Sequence, residues 1–414
     1  MENQADSDKE NIKLLAKEKD RIKDRIKSFD IFKGFAIFWI VVGHIANYWL
    51  IRSDIWIYEV LLTFVFRCIT GLNFILLIGV NLAISFNSKR EKGWTEKRIW
   101  IHNLKRVGIL FLLSIIYNIV IELIRDRLGL ASLWSWYILQ CIAISIIILI
   151  LLNRIPNISK ILLGVIFIFI SHPLYYYLPN LGDFGLIIQR FLYYPYEQYP
   201  ILPWISATLF GWVVGDFFYK TKYKKNKKLF NNNEEFKKLL LAISIIGMVL
   251  ISIGLVFGNK YPSSINPYDD WWYKLGLSHT ANLHNNPIFL SIPNIPYFLL
   301  EGHWSSMIYG VGVIFVCLGI LTYICDYKKH NNFIFNSLAF AGKFSFSIFL
   351  YHHVGILLFP NTFNIIWIWV AVPTYTILFI FLIWIIVKKF NAVGLIEWIM
   401  VIITYDVRDK ESEK

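Results

Sequence analysis

The chain has 414 residues, of which 57% are apolar and 17% charged, and its mean hydropathy is +0.53. A water-soluble fold with an ordinary surface cannot hide that apolar fraction, and a disordered chain would be far more polar, so both classes are excluded. The net charge of +13 would suggest nucleic acid in a soluble protein. In a membrane protein the information lies in where Lys and Arg fall along the chain, and no nucleic-acid partner is expected.

Residues 1–29 alternate acids and bases and form a charged N-terminal segment. They lack the short basic start and immediate apolar core of a cleaved signal peptide, so insertion is expected to rely on the first span. Lys9, Lys13, Lys17, Arg21 and Arg25 recur every four residues, the spacing of one helix face, either solvated or lying near anionic headgroups. Residues 30–390 read as one membrane domain. Apolar runs place spans at 31–50, 57–86, 104–123, 133–152, 159–177, 200–219, 239–257, 304–325, 342–359 and 363–387. The expected fold is therefore an all-α, polytopic membrane helix bundle of about ten transmembrane helices. The Lys/Asn-rich stretch 220–238 reads as a linker between two halves, and 258–303, with Pro262, Pro267, Pro287, Pro293 and Pro296, as the longest outer loop. Residues 391–414 read as an interfacial segment and a C-terminal tail, because the apolar part ends near 405 and is short for an eleventh crossing.

Ten spans put both termini on one side of the membrane. That side carries 33 Lys and Arg against 6 on the other, with Lys33 and Arg67 inside spans. The positive-inside rule then assigns both termini to the cytoplasm. Cys68, Cys141, Cys317 and Cys325 all fall in apolar runs with no C-x-x-C, so neither a structural disulfide nor a thiol metal site is expected.

Ionisable side chains are costly in hydrocarbon, so those within spans face the bundle interior or a watery cavity. His44 lies about 13 residues, roughly 20 Å, into the first span, past the midplane. His352 and His353 fall near the midplane of the ninth. On a regular helix they point about 100° apart, so one of them is expected to face the cavity and the other to pack between helices. Arg67, Asn73 and Asn81 lie on the second span, Gln140 on the fourth, and Asp30 and Lys33 at the mouth of the first. A bundle needing cohesion alone could use Gly, Ala and Ser, so this set predicts a functional polar cavity. For Arg67 a structural partnership is an equal alternative. Histidines on different spans could also hold haem, although no pair of spans carries two well-separated His each. A transporter or flippase for a glycan or lipid-linked substrate would need a polar passage too. The Pro-bearing start of the sixth span at Pro200 to Trp204 has no twin in the other half, as broken helices of a transporter would.

Arg25-Ile-Lys-Ser28-Phe-Asp30-Ile-Phe32-Lys33-Gly34-Phe-Ala36 resembles the R-x-R-S-x-D-x-x-R-G-x-A opening of the heparan-alpha-glucosaminide N-acetyltransferase catalytic domain. Trp136-Tyr-Ile-Leu139-Gln140 resembles its L-Q helix, and Tyr199-Pro200-Ile-Leu202-Pro203-Trp204-Ile its Y-P-L-L-P-W-I segment. Gly394-Leu-Ile-Glu397-Trp398 is similar to the G-P-L-E-W ending of related families. Lys33 to His44 has the R-x10-H spacing of the acyltransferase-3 family, with Phe74-Ile-Leu-Leu-Ile-Gly79 in place of F-F-x-x-S-G. Gly342-Lys-Phe-Ser345-Phe-Ser347-Ile-Phe-Leu350-Tyr-His352 is similar to that family's G-x-x-S-Y-S-x-Y-L-x-H. The resemblance runs from Arg25 to Trp398. Two departures stand out: Lys33 replaces an Arg, trading a bidentate contact for a point charge, and His44 stands where the glucosaminide group often has Asn.

What the resemblance implies is transfer of an acetyl or other acyl group from cytoplasmic acyl-CoA to a sugar amine or hydroxyl outside, without a metal. His44 would be the general base. Asn73, Arg67 or His352 would steady the thioester oxygen, with no ranking among them. Lys33, Lys97, Arg98, Lys105 and Arg106 would hold the phosphates of acetyl-CoA. Asp30, Gln140, Glu197, Trp204, Trp271, Trp272 and His303 would contact the glycan or glycolipid acceptor. Membrane lipid is the other expected partner, and a homodimer is compatible with the sequence.

Overall fold

The computed structural model describes residues 26–51, 53–54, 70–124, 129, 133–194, 199–222, 233–259, 296–299 and 302–404. Among them the regular structure is helical: α1 (Lys27–Trp49), α2 (Gly71–Glu91), α3 (Glu96–Ile124), α4 (Ile138–Leu151), α5 (Asn157–Tyr177), α6 (Gly182–Tyr193), α7 (Ile201–Lys222), α8 (Asn233–Gly258), α9 (Trp304–Thr322), α10 (Phe333–Lys343), α11 (Ser345–Tyr351), α12 (Ile365–Lys389) and α13 (Ile396–Thr404). Eight helical segments are long and apolar enough to cross a bilayer. With the shorter apolar helix Ile138–Arg154 and the bent pair formed by α10 and α11, every expected span has a helical counterpart.

The helices sort by which faces are apolar. α1, α2 and α7 form the interior, with Ile37, Val41 and Ile45 of α1, Ile75 and Leu76 of α2, and Leu209 of α7 fully buried. On α5, α8 and α12 large apolar side chains point outward, among them Leu162, Phe169, Leu241, Ile245, Ile366 and Val370. Such a surface is stable against lipid and not against water.

α1 is held at both ends and at a crossing. Its first backbone N–H groups, of Lys27 and Ser28, each donate over 2.9 Å to the carboxylate of Asp326, in the π-helical turn after α9. Acid at an N-terminus suits the helix dipole and satisfies orphan donors. The helix thus begins four residues before the expected span, and Ser28 joins it, its hydroxyl 2.9 Å from that of Thr322. Where α1 crosses α10, a Cβ on Gly342 would lie 1.8 Å from the Asp30 carbonyl oxygen, and one on Gly34 1.8 Å from that of Leu338. Glycine at both positions is what lets the two backbones touch. At the far end, the N–H groups of Thr362 and Phe363 donate to Trp49 O, and Ile51 N–H donates back to Phe363 O.

Two expected spans take a different form. The fourth contains only 14 α-helical residues, with Ser135, Trp136 and Tyr137 buried as extended chain before it. The ninth is not a single helix. α10 and α11 meet at 73°, and beyond Tyr351 the chain continues as a 3-10 helix over His352–Leu357. The break follows from Glu397, just inside α13, whose carboxylate accepts from the N–H of Phe346 at 2.9 Å and of Ser347 at 3.3 Å, and from the Ser347 hydroxyl. Ser347 Oγ in turn accepts from Ile396 N–H at 2.8 Å. α13, nine residues long, is too short to cross a bilayer.

Candidate functional site

His44 sits on the inner face of α1. Its Nδ1 is 3.1 Å from Nε2 of His352, so the ring turns into the bundle and not toward lipid. The clamp at the end of α1 sets this approach: Trp49 Nε1–H donates to Gly355 O at 2.9 Å, and Tyr375 O–H from α12 donates to His352 O at 3.1 Å. The opposed faces expected for His352 and His353 are corrected by the structure. Their ring centroids are 4.0 Å apart, and one nitrogen from each of His44, His352 and His353 lies within 4.8 Å of the others. The winding is not the reason, since adjacent side chains on a 3-10 helix diverge by about 120°; the two rings instead both turn toward His44, with centroids 5.2 and 5.6 Å from its own. His352 is fully buried, and His44 and His353 are half-buried.

The tautomers follow from one contact. His352 Nδ1 is 3.2 Å from the Ile348 carbonyl, which can only accept, so Nδ1 carries the hydrogen. In the neutral ring Nε2 is then the acceptor, His44 donates to it from Nδ1, and the lone pair of His44 is on Nε2. That is the form of an imidazole able to take a proton. Phe349 packs against all three histidines and Tyr117, with centroids 5.4–6.1 Å away. Tyr117 O–H lies 3.3 Å from Nε2 of His353.

A second polar group spans α3 and α4. Asn118 Nδ2 donates to Gln140 Oε1 and to Ser135 O, both at 3.0 Å, and Tyr137 O–H donates to Glu122. Asn73 Nδ2 donates to Phe32 O at 3.1 Å. Asn73 Oδ1, Asn118 Oδ1, Gln140 Nε2 and Trp204 Nε1 are buried without a hydrogen-bond partner among the described residues. They stand on α2, α3, α4 and α7, of which α2, α4 and α7 pack on one another. Trp204 also meets Tyr199 edge to face at 4.8 Å, just past a kink at Leu202. Tyr199 N–H donates to Trp136 O at 2.8 Å, which ties together two of the sequence motifs.

The remaining expected residues are placed apart. Lys33 is paired with Asp30 at 2.9 Å. Arg98 lies over the Trp94 ring at 4.1 Å in the first turn of α3, where Lys97 is exposed; two turns on, Lys105 is exposed and Arg106 half-buried. His303 is buried as the N-cap of α9, accepting from Ser305 N–H at 3.2 Å and stacked on Tyr297 at 4.5 Å. Burial, with His172 second, pushes its imidazole down to about 3. Arg67, Glu197, Trp271 and Trp272 lie outside the described residues. Sequence reasoning left open which of His352 and His353 faces the cavity, and it missed Tyr117 and the anchoring role of Glu397. A signal existed for α3, where Ser114, Asn118 and Glu122 recur every four residues and are all buried.

Fold and site together define an integral, multi-pass membrane protein with a polar centre between its helices. Residues 25–257, more than half of the chain, match the family model "Heparan-alpha-glucosaminide N-acetyltransferase, catalytic", so the chain belongs to this family of membrane acetyltransferases. His44, Asn73, Gln140 and Trp204 fall inside the matched region, and His352 and His353 beyond it. No curated protein matches the chain.

Proposed function

We propose that the protein transfers an acetyl group from cytoplasmic acetyl-CoA to an amine or hydroxyl of a sugar on the outer side, with both termini cytoplasmic. The observation that carries this reading is the His44–His352 hydrogen bond deep in the bundle. His44 Nε2 takes the proton of the acceptor amine or hydroxyl as the new N–C or O–C bond forms. The thioester C–S bond breaks, and the same proton leaves with the thiol of CoA. A thiol ionises near pH 8.5 and needs little acid assistance. His352 acts through His44 by holding its tautomer. Charge developing on the thioester oxygen needs donors, and Asn73, Arg67 and Gln140, whose Nε2 is buried without a partner among the described residues, are the candidates. On the cytoplasmic side Lys33, Lys97, Arg98, Lys105 and Arg106 supply charge for the CoA phosphates. On the outer side Glu197, Trp204, Trp271 and Trp272 are the acceptor candidates, and at the cytoplasmic mouth Asp30 holds Lys33.

Proteoliposomes loaded with labelled acetyl-CoA and supplied outside with an amino sugar or a glycolipid test the reading. Label is expected on the external acceptor, and none with His44→Ala. Absence of CoA binding at millimolar concentration overturns the proposal. Uptake of intact acceptor without acetyl donor would instead support the transporter reading.

A further inference from the structure

We propose that His44, His352 and His353 form a binding site for a borderline transition-metal dication, best matched by Zn2+, and that the bound ion switches off transfer. The inhibitory half rests on the function proposed above; the site itself does not. One nitrogen from each ring already lies within 4.8 Å of the other two, and the His44–His352 pair is at 3.1 Å. Zn–N bonds of about 2.0–2.1 Å in a tetrahedron put ligand nitrogens about 3.3 Å apart, so the widest spacing closes by at most about 1.5 Å. Three imidazoles without thiolate or carboxylate suit Zn2+, Cu2+ or Ni2+ and not Mg2+ or Ca2+. Three protein nitrogens and one open position is a familiar zinc arrangement.

The surroundings orient the rings as a metal would need. A ligating imidazole characteristically gives its other nitrogen to an oxygen. His352 Nδ1 is on Ile348 O, which leaves Nε2 pointing at His44, and His353 Nε2 is on Tyr117 Oη, which leaves Nδ1. That His353 Nδ1 is buried without a hydrogen-bond partner among the described residues, an arrangement that costs stability unless something completes it. His44 and His353 keep partial exposure, whereas His352 is fully buried. Behind Tyr117 the polar chain continues through Tyr137, whose ring meets that of Tyr117 at 5.7 Å and whose O–H donates to Glu122.

Inhibition follows from the proton balance. To bind through Nδ1, His44 must move its hydrogen from Nδ1 to Nε2. The ring stays neutral, but the lone pair that would accept the proton of the acceptor is gone, and the rest of its coordination capacity is held by the ion.

The test uses full-length protein without a polyhistidine tag, stripped with EDTA in detergent and titrated with Co2+ alone, then with Zn2+. One Co2+ per chain is expected, with the intense visible absorption of a four-coordinate ion, displaced by Zn2+. His353→Gln should weaken Co2+ binding at least tenfold, and Tyr117→Phe, which removes the oxygen behind His353, by about tenfold. Thermal melts of the metal-free variants show that both remain folded. In the transfer assay, Zn2+ should inhibit the wild-type protein reversibly with EDTA, and the inhibiting concentration should rise in His353→Gln by the factor seen in Co2+ binding. No saturable Co2+ binding, or equal affinity in wild type and both variants, overturns the site. Binding with undiminished transfer overturns the inhibition. Binding in a protein that transfers no acetyl group leaves the site standing and removes the acetyltransferase reading, so the two failures are separable.

Discussion

The hydrogen on His352 Nδ1 sets the direction of each bond along the pair, because the Ile348 carbonyl beside it cannot donate. General bases contribute about 10²–10⁴ in rate, so His44→Ala is expected to lower kcat by that factor with the melting temperature nearly unchanged. His352→Gln keeps an acceptor near His44 Nδ1 and should cost about tenfold, whereas His352→Leu removes the acceptor and should approach the loss seen for His44→Ala. Both are read by single-turnover transfer. His303 makes a pH prediction. Its folded value is about 3, against about 6.5 for a free imidazole, so the unfolded chain binds the proton first. Stability is therefore complete above pH 6.5 and declines as the pH falls from there towards 3. His303→Asn keeps a good N-cap without titrating. Its melting temperature, followed through the fluorescence of the 16 tryptophans, should fall less between pH 6.5 and 4 than that of the wild-type protein.

At the scale of the elements, the decisive feature is the break between α10 and α11. Glu397 holds two N–H groups and a hydroxyl at the start of α11, and the turn that presents His352 begins only five residues after Ser347. Burial pushes the Glu397 carboxyl up, and its donors, Ser347 foremost, oppose this. Glu397→Ala strands those donors, and a charged hydrogen bond is worth about 1.5–3 kcal/mol, so a loss of at least about 2 kcal/mol is expected in thermal melts. Transfer should fall in kcat, because the turn that presents His352 hangs from this anchor. Gly342→Val should be worse still, since a Cβ there meets the Asp30 backbone at 1.8 Å. Most of the recovered material is expected to aggregate on size exclusion. The break was not legible in the sequence. Gly342, Ser345 and Ser347 are ordinary small residues in an apolar run, and the carboxylate that gives them meaning is about 50 residues further along.

For the whole molecule, orientation is the property to test. Single cysteines introduced into 220–238, in a chain with its own cysteines replaced, should resist a membrane-impermeant maleimide in intact cells. Those introduced into 258–303 should react. The reverse pattern would invert the proposed direction of transfer, because the 33-to-6 charge asymmetry and the CoA-side lysines and arginines would then face the wrong compartment.

Hydrophobic periodicity and length are local properties, so the sequence by itself determined that this is a helical membrane protein, about where each span lies, and that His44 and His352 are among its few polar intruders. Tertiary structure alone decided that His353 joins them, that Asp326 starts α1, and that Glu397 breaks the ninth span. Each of these depends on which backbone or ring stands opposite. The partner comes from a segment up to about 300 residues away, and no local pattern encodes that distance.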